Sequence, residues 1–218
     1  MAQFNCAEIA GFDTEHLLPD HGLLSFFCVN DIYAETKGGR VYWFEDTSVL
    51  SPTDYPADMR DEDKLPTTSL EMKSVCSYPY LEEYFKVFPY RDNFEFETDD
   101  DEELYCAFCD EFSAAWRNLS KDGNNNYLLG WPRNRQDSQF GRCELASLGC
   151  AGGSRKIPHE VRQRAEESAH ERWQLLLQLD ESMLFGFCFS DGLLQFFISK
   201  EDMAVRRFDR VRFATHSS

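Results

Sequence analysis

Two distant stretches of the chain carry the same apolar motif, and this similarity limits the folds that the sequence can adopt. The motif GLLSFFC at 22–28 matches the motif GLLQFFI at 192–198. A shorter match precedes each motif, with Gln3-Phe4-Asn5 corresponding to Gln178-Leu179-Asp180. An Arg-Val pair follows each motif glycine by 18 residues, at Arg40-Val41 and Arg210-Val211. The sequence therefore predicts two copies of one β-rich unit that arose by internal duplication.

The periodicity of apolar residues predicts strands inside both copies. Residues 2–5 alternate between polar and apolar side chains, which is typical of a half-buried strand. The apolar runs Leu23–Val29 and Val41–Phe44 flank a glycine-containing loop and predict a hairpin. The alternation in 208–213 predicts a final strand.

The stretch between the two copies predicts helices. A short helix is expected at 80–88 after a proline, and a longer helix carries Leu104, Phe108 and Phe112 at helical spacing. Another helix is expected after Pro158, which suits a first helical turn. We therefore expect an α+β fold in one domain, 1–218, with two repeated antiparallel β units at about 1–46 and 173–215 and a helical insert at about 47–172.

The charge of the chain favours some partners over others. It has 39 acidic and 22 basic residues, for a formal net charge of -17. Such a charge repels nucleic acids and anionic membrane surfaces, and it favours a basic protein partner. Solubility alone is the other explanation of this charge. No apolar segment reaches the length of a membrane span.

The cysteines indicate the expected compartment. The chain has eight cysteines, and its first residues show neither the basic nor the apolar region of a signal peptide. Cys28 and Cys188 fall in apolar, strand-like runs, where a thiol behaves as a small hydrophobic group. We therefore expect reduced cysteines and a cytoplasmic protein.

Three motifs raise the question of a metal or cofactor. The acidic run 95–103 offers carboxylates for calcium or for the amino terminus of the following helix, and it lacks the glycine-centred calcium loop. Cys106 and Cys109 form a CxxC pair without the second ligand pair of a zinc site. The glycine-rich stretch 149–153 lacks the Lys-Ser/Thr of a phosphate loop. We expect no metal and no cofactor.

The polar residues matched between the two copies are the candidate ligand-binding residues. On a strand, Gln3 and Asn5 project from one face, and Gln178 and Asp180 do the same on the second copy. If the copies pack about a pseudo-twofold axis, the two pairs converge and a ligand bridges them. Buried polar side chains that satisfy sheet edges or loop carbonyls would produce the same pattern.

Several motifs, in their order, resemble the YwqG-like family, a domain of unknown function. The resemblance covers most of the chain apart from a diverged middle at 51–96, and it is that of an amino-terminally shortened member. It implies an α+β fold with extensive antiparallel sheet, and it implies no reaction. The motifs that carry it lie at 2–9, 17–27, 127–132, 136, 143–144, 173–180, 185–186, 191–198, 201–203 and 208–211.

Two functional hypotheses follow from these patterns. The first is a non-catalytic binding or interaction protein that holds a basic protein partner or a small ligand, because no group of residues has catalytic spacing. The second is a hydrolase that uses acid and amide residues at the interface of the two copies, with Asp180 as the base. Catalytic residues remain unassigned, and the balance leans away from an enzyme.

Overall fold

The computed structural model describes most of the chain and builds it from short strands and helices. It covers residues 1–29, 38–61, 64, 66–79, 98–119, 125–133, 138–150, 157–180 and 192–216. In chain order the elements are β1 (Ala2–Asn5), α1 (Cys6–Ile9), β2 (Leu23–Cys28), β3 (Gly39–Phe44), α2 (Asp99–Leu119), β4 (Tyr127–Leu128), α3 (Gln139–Ser147), α4 (His159–Arg172), β5 (Trp173–Asp180), β6 (Leu193–Ser199), α5 (Lys200–Ala204), a 3₁₀-helix (Phe208–Arg210) and β7 (Arg212–His216). The α+β class is confirmed.

The first sheet contains the amino-terminal strands in the antiparallel order β1-β2-β3. Its register places Phe4 opposite Leu24 and Phe26 opposite Val41. These four side chains are buried on one face of the sheet, as the alternation of apolar residues requires. The predicted hairpin is thus confirmed as β2 and β3.

The second sheet contains the remaining strands in the antiparallel order β4-β5-β6-β7. Every residue of β6 is buried, because both faces of this sheet are covered. The register of β5 against β6 shifts between Leu175 and Leu177. A shift of this kind changes which side chains face each side of the sheet.

The two sheets share a hydrophobic core, which we call the central core. The ring of Phe26 on the first sheet lies 5.3 Å from the ring of Phe196 on the second, edge to face. Gly39 lies against the same ring, and a Cβ atom added there would come within 2.8 Å of Phe196 Cε1 and 2.7 Å of Phe213 Cβ. The backbone of β3 therefore approaches the second sheet so closely that a side chain at position 39 would have to displace these neighbouring atoms.

A second core covers the opposite face of the second sheet. Phe140 and Cys143 of α3 and Ala169 of α4 are buried there together with Trp173 and other strand residues. The Phe140 ring lies 5.5 Å from the ring of Phe197 on β6. Trp173 Nε1 donates to Glu144 Oε2 at 2.7 Å and ties the start of β5 to α3.

The helix predicted around Leu104 is α2, which begins inside the acidic run. Its rings contact one another, with 5.7 Å between the centroids of Phe108 and Phe112, and Phe112 also lies 6.1 Å from Tyr78. Leu104 is 71% exposed, so the apolar stripe does not continue into a core along the whole helix. Capping of α2 by the acidic run stays a prediction.

Two sequence expectations need correction, and a third lies outside the described residues. The final strand begins at Arg212 and not at 208, because 208–210 form a 3₁₀-helix in which Val211 N–H donates to Phe208 O at 3.3 Å. The sequence places Ile157, Val161, Ala165, Ala169 and Trp173 in one unbroken apolar stripe; Ala165, Ala169 and Trp173 are buried, but Val161 is 38% exposed, so the buried stripe does not include it. The helix expected at 80–88 falls outside the described part of the chain.

The matched motifs occupy similar places in the two sheets. Gln3 pairs with Ser25 in β1 and β2, and Gln178 pairs with Gln195 in β5 and β6. The Arg-Val match does not follow this correspondence, since Phe26 pairs with Val41 whereas Phe196 pairs with Phe213. Internal duplication therefore stays a prediction that the matched registers support. Within the described residues, no helix has the length and apolar character needed to cross a bilayer.

Candidate functional site

A set of polar side chains lies on the same face of the second sheet as the second core, next to it. We call it the polar cluster. At its centre, Gln195 Nε2 donates to Gln178 Oε1 at 2.7 Å between neighbouring strands. Both glutamines are fully buried. Buried amides are costly unless they are hydrogen-bonded, so this pair has to be satisfied from its surroundings. The members of the cluster are Asn125, Tyr127, Arg133, Gln178, Asp180 and Gln195.

Backbone groups on either side of β4 satisfy much of the glutamine pair. Arg133 N–H donates to Gln178 Oε1 at 2.9 Å, and Gln195 Nε2 donates to Arg133 O at 3.0 Å. Gln178 Nε2 donates to Asn125 O at 2.8 Å. The two glutamines therefore fix the chain before and after β4 against the sheet.

Charged groups flank the amides and are joined by one asparagine. Arg133 Nη1 donates to Asn125 Oδ1, and Asn125 Nδ2 donates to Asp180 Oδ2, each at 2.5 Å. The N–H of Asp180 donates to Asn126 Oδ1 at 2.8 Å. Asp180 is 4% exposed. The opposite charges of Arg133 and Asp180 partly offset each other across this bridge, which makes burial of the carboxylate tolerable.

Two buried atoms of the polar cluster have no hydrogen-bond partner among the described residues. They are Gln195 Oε1 and the hydroxyl oxygen of Tyr127. Burial raises the pKa of the Tyr127 hydroxyl, the positive charge of Arg133 opposes this effect, and the charge of Asp180 adds to it. Tyr127 is therefore a neutral phenol near neutral pH. A buried polar atom without a partner costs about 1–3 kcal/mol.

The structure brings together one of the two predicted pairs of site residues. Gln178 and Asp180 both belong to the polar cluster. Gln3 lies on β1, where its Nε2 donates to Ser25 Oγ at 3.1 Å, and the exposed Asn5 caps α1 by accepting from Ala7 N–H at 3.2 Å. Each pair projects from its sheet on the side away from the central core, so the two pairs do not converge.

The cysteines in the described part of the chain are free thiols and differ widely in environment. Burial raises the pKa of the Cys143 thiol to about 12, so it is protonated near neutral pH. Cys106 is exposed and Cys109 is partly buried on α2. Among the described residues, no three or more His, Cys, Asp or Glu side chains are grouped to hold a metal ion.

Four members of the polar cluster were not predicted from the sequence. For Gln195 the sequence offered one signal, namely the matched apolar motif in which Gln195 corresponds to Ser25. In the structure Gln195 lies opposite Gln178 as Ser25 lies opposite Gln3. Asn125 and Arg133 each contact the glutamine pair through backbone groups, which side-chain patterns do not reveal. Tyr127 forms part of a short apolar run without distinctive periodicity.

Comparison with known families matches nearly the whole chain to one family model. The family described as "Domain of unknown function (DUF1963)" matches residues 1–216. The chain belongs to this family. The DUF1963 match includes both sheets and every member of the polar cluster. A comparison with curated proteins gives no match.

Proposed function

We propose that this DUF1963 chain is a binding protein whose polar cluster holds a small, neutral ligand with N–H or O–H groups. The observation that carries this proposal is the pair of buried atoms without a partner among the described residues, Gln195 Oε1 and the Tyr127 hydroxyl. Gln195 is fully buried and Tyr127 is 8% exposed. Buried polar atoms in native proteins are normally hydrogen-bonded, so a bound donor would account for both.

The chemistry of the ligand follows from the atoms that lack partners. An amide oxygen only accepts hydrogen bonds, and a phenol both donates and accepts. A ligand that presents N–H or O–H groups would therefore satisfy both atoms. The charges of Arg133 and Asp180 are already linked through Asn125. A neutral ligand, such as a small amide, a polyol or a sugar, needs no further charge compensation.

The hydrolase hypothesis receives less support from the same geometry. Asp180 is the candidate base, and it is held by amide groups, with Asn125 Nδ2 on its carboxylate. The buried thiol in the adjoining second core, Cys143, is protonated near neutral pH and so is a poor nucleophile. The binding hypothesis is therefore favoured over a hydrolytic reaction.

The finer family placement is also part of the proposal. We place the chain among the YwqG-like members of DUF1963 on the motifs of the sequence. Two of these motifs, at 127–132 and 173–180, supply β4 and β5 and with them Tyr127, Gln178 and Asp180. In this proposal these motifs would be retained because they build the ligand site.

A thermal-shift screen with small amides, polyols and sugars tests the proposed function. A ligand of the polar cluster raises the melting temperature of the wild type, because binding at 100 times Kd adds about 2.7 kcal/mol to stability. Tyr127→Phe removes one of the two atoms without a partner, so its shift with the same compound should be much smaller. Tyr55→Phe, at an exposed tyrosine outside the cluster, is the control. Equal shifts in Tyr127→Phe and wild type, or no shift with any compound, would overturn the proposal.

A further inference from the structure

We propose that Arg212 and Arg142 form a binding site for a small oxyanion, namely the carboxylate or phosphate group of a small molecule. Arg212 is the first residue of β7, and Arg142 lies on α3. We call these two residues the arginine pair. The Nε atom of Arg212 is buried and has no hydrogen-bond partner among the described residues. A buried donor of a charged group is costly to leave unsatisfied, so a bound anion would account for it.

The register of the second sheet places Arg212 on the face that carries the second core. Arg212 lies directly opposite Phe197 of β6. Directly opposed residues of antiparallel strands project from the same face of a sheet. Phe197 is buried in the second core, and Ala214, two residues after Arg212, packs against the same core. Arg212 itself is only partly buried. Its side chain therefore lies at the edge of the second core and is open to solvent in part.

The helix α3 brings a second cation to the same place. Arg142 is exposed on α3 and directly precedes Cys143, which is buried in the second core. Burial raises the pKa of the Cys143 thiol to about 12, and the positive charges of Arg212 and Arg142 act in the opposite direction. Both guanidinium groups therefore lie near this thiol. Within the described part of the chain, neither guanidinium group has a hydrogen bond or an ion pair.

The acidic residues on neighbouring elements do not neutralise the arginine pair. Glu166 on α4 lies against Gly141 of α3, and among the described residues it forms no ion pair with Arg142 or Arg212. The chain has 39 acidic and 22 basic residues, so an arginine without a carboxylate partner is unexpected. The site therefore offers uncompensated positive charge to a ligand. Three other carboxylates are held by other arginines, in the pairs Glu144–Arg172, Asp202–Arg210 and Asp209–Arg207.

The charge of the chain and the shape of the guanidinium group define the ligand class. At -17 the protein repels a polyanion such as nucleic acid, whereas a ligand with one or two negative charges needs only the arginine pair for compensation. A guanidinium group presents its donors in a planar fork that fits two oxygens of a carboxylate or a phosphate. Because Nε of Arg212 is the buried donor without a partner, we expect the ligand to accept from Nε and from the neighbouring Nη atom.

An NMR titration of the Arg212 Nε–H signal with sodium phosphate and with sodium acetate tests the anion site. We expect a saturable shift with at least one of these salts and none with sodium chloride at the same ionic strength. The salt that binds more tightly tells a phosphate ligand from a carboxylate ligand. The signal is assigned by its loss in Arg212→Lys.

Isothermal titration calorimetry with the same salt measures the contribution of each arginine. Arg212→Lys keeps the positive charge but removes Nε and the fork, so we expect affinity to fall at least about tenfold, as the loss of charge-assisted hydrogen bonds implies. Arg142→Gln removes an exposed charge and should weaken binding about threefold. Arg164→Gln is the matched control, because Arg164 is an exposed arginine of α4 outside the arginine pair. Circular dichroism of each variant checks that weakened binding is not caused by unfolding.

Three results would overturn the anion site. The first is a shift of the Arg212 signal that does not saturate or that sodium chloride reproduces, since this would show screening by salt alone. The second is equal affinity in wild type and Arg212→Lys. The third is an affinity that also falls in Tyr127→Phe, which would place the anion in the polar cluster. Tyr127 lies on β4 at the opposite edge of the sheet, about 14 Å from β7 at about 4.8 Å per strand, so failure of the anion site leaves the proposed function untouched.

Discussion

Gln195 donates to Gln178 across the centre of the second sheet, while its own side-chain oxygen has no partner among the described residues. The side-chain nitrogen of this buried amide therefore has hydrogen-bond partners, whereas its oxygen has none among the described residues. Gln178, by contrast, uses both of its side-chain atoms, with its oxygen accepting from Arg133 N–H as well. The difference gives Gln178 a structural role and makes Gln195 the glutamine that the proposed ligand would contact.

Replacement of Gln178 should destabilise the fold. Gln178→Met keeps the length of the side chain, but it leaves Arg133 N–H and Asn125 O without their partner, so we expect a loss of about 3 kcal/mol from the free energy of unfolding. Urea denaturation measures this loss. Gln174→Met on the same strand is the control, because Gln174 is only partly buried. Equal midpoints for the two variants would contradict a structural role for the polar cluster.

The close approach of the two sheets at Gly39 makes a second stability prediction. Gly39→Ala places a Cβ atom within 2.7 Å of Phe213 Cβ, and overpacking of this kind costs about 1–3 kcal/mol. Gly11→Ala is the matched control, since a Cβ atom there meets nothing within 4 Å. Thermal unfolding of the two variants should separate them clearly. A Gly39→Ala protein as stable as Gly11→Ala would show that the sheets lie further apart.

His21 should titrate above the ordinary range for histidine. Its hydrogen bond to Asp20 raises the pKa of His21, and Glu45 adds to the effect. The protonated form therefore stabilises the fold below the unfolded pKa of about 6.5, and this contribution is lost as pH rises through the folded pKa. An NMR titration of the imidazole protons measures the value. Asp20→Asn should move it down, and an unchanged value in that variant would refute the ion pair.

The cysteines should differ in reactivity according to their burial. Cys143 is buried and its pKa is raised to about 12, so alkylation by iodoacetamide should be slow in the folded protein. The exposed Cys76 and Cys106 should react first. Mass spectrometry of peptides after timed alkylation gives the order. Early labelling of Cys143 would place it outside the second core.

The sequence predicted the strands of the first sheet well because their apolar alternation is local. Phe4 and Phe26 are buried where the period of two requires. It predicted Gln178 and Asp180 as site residues because they match Gln3 and Asn5 in sequence. It could not predict Asn125 and Arg133, whose backbone groups meet Gln178 from 53 and 45 residues away. The 3₁₀-helix at 208–210 was missed because its buried Phe208 mimics the alternation of a strand.

Native mass spectrometry of the gently purified protein tests the ligand-binding claim most directly. We compare the wild type with Tyr127→Phe, which removes a hydroxyl without a partner among the described residues and so should fold at least as stably without ligand. The account predicts a small additional mass on the wild type that is absent or much reduced on Tyr127→Phe. A wild type without additional mass, or the same mass at equal occupancy on both proteins, would contradict it.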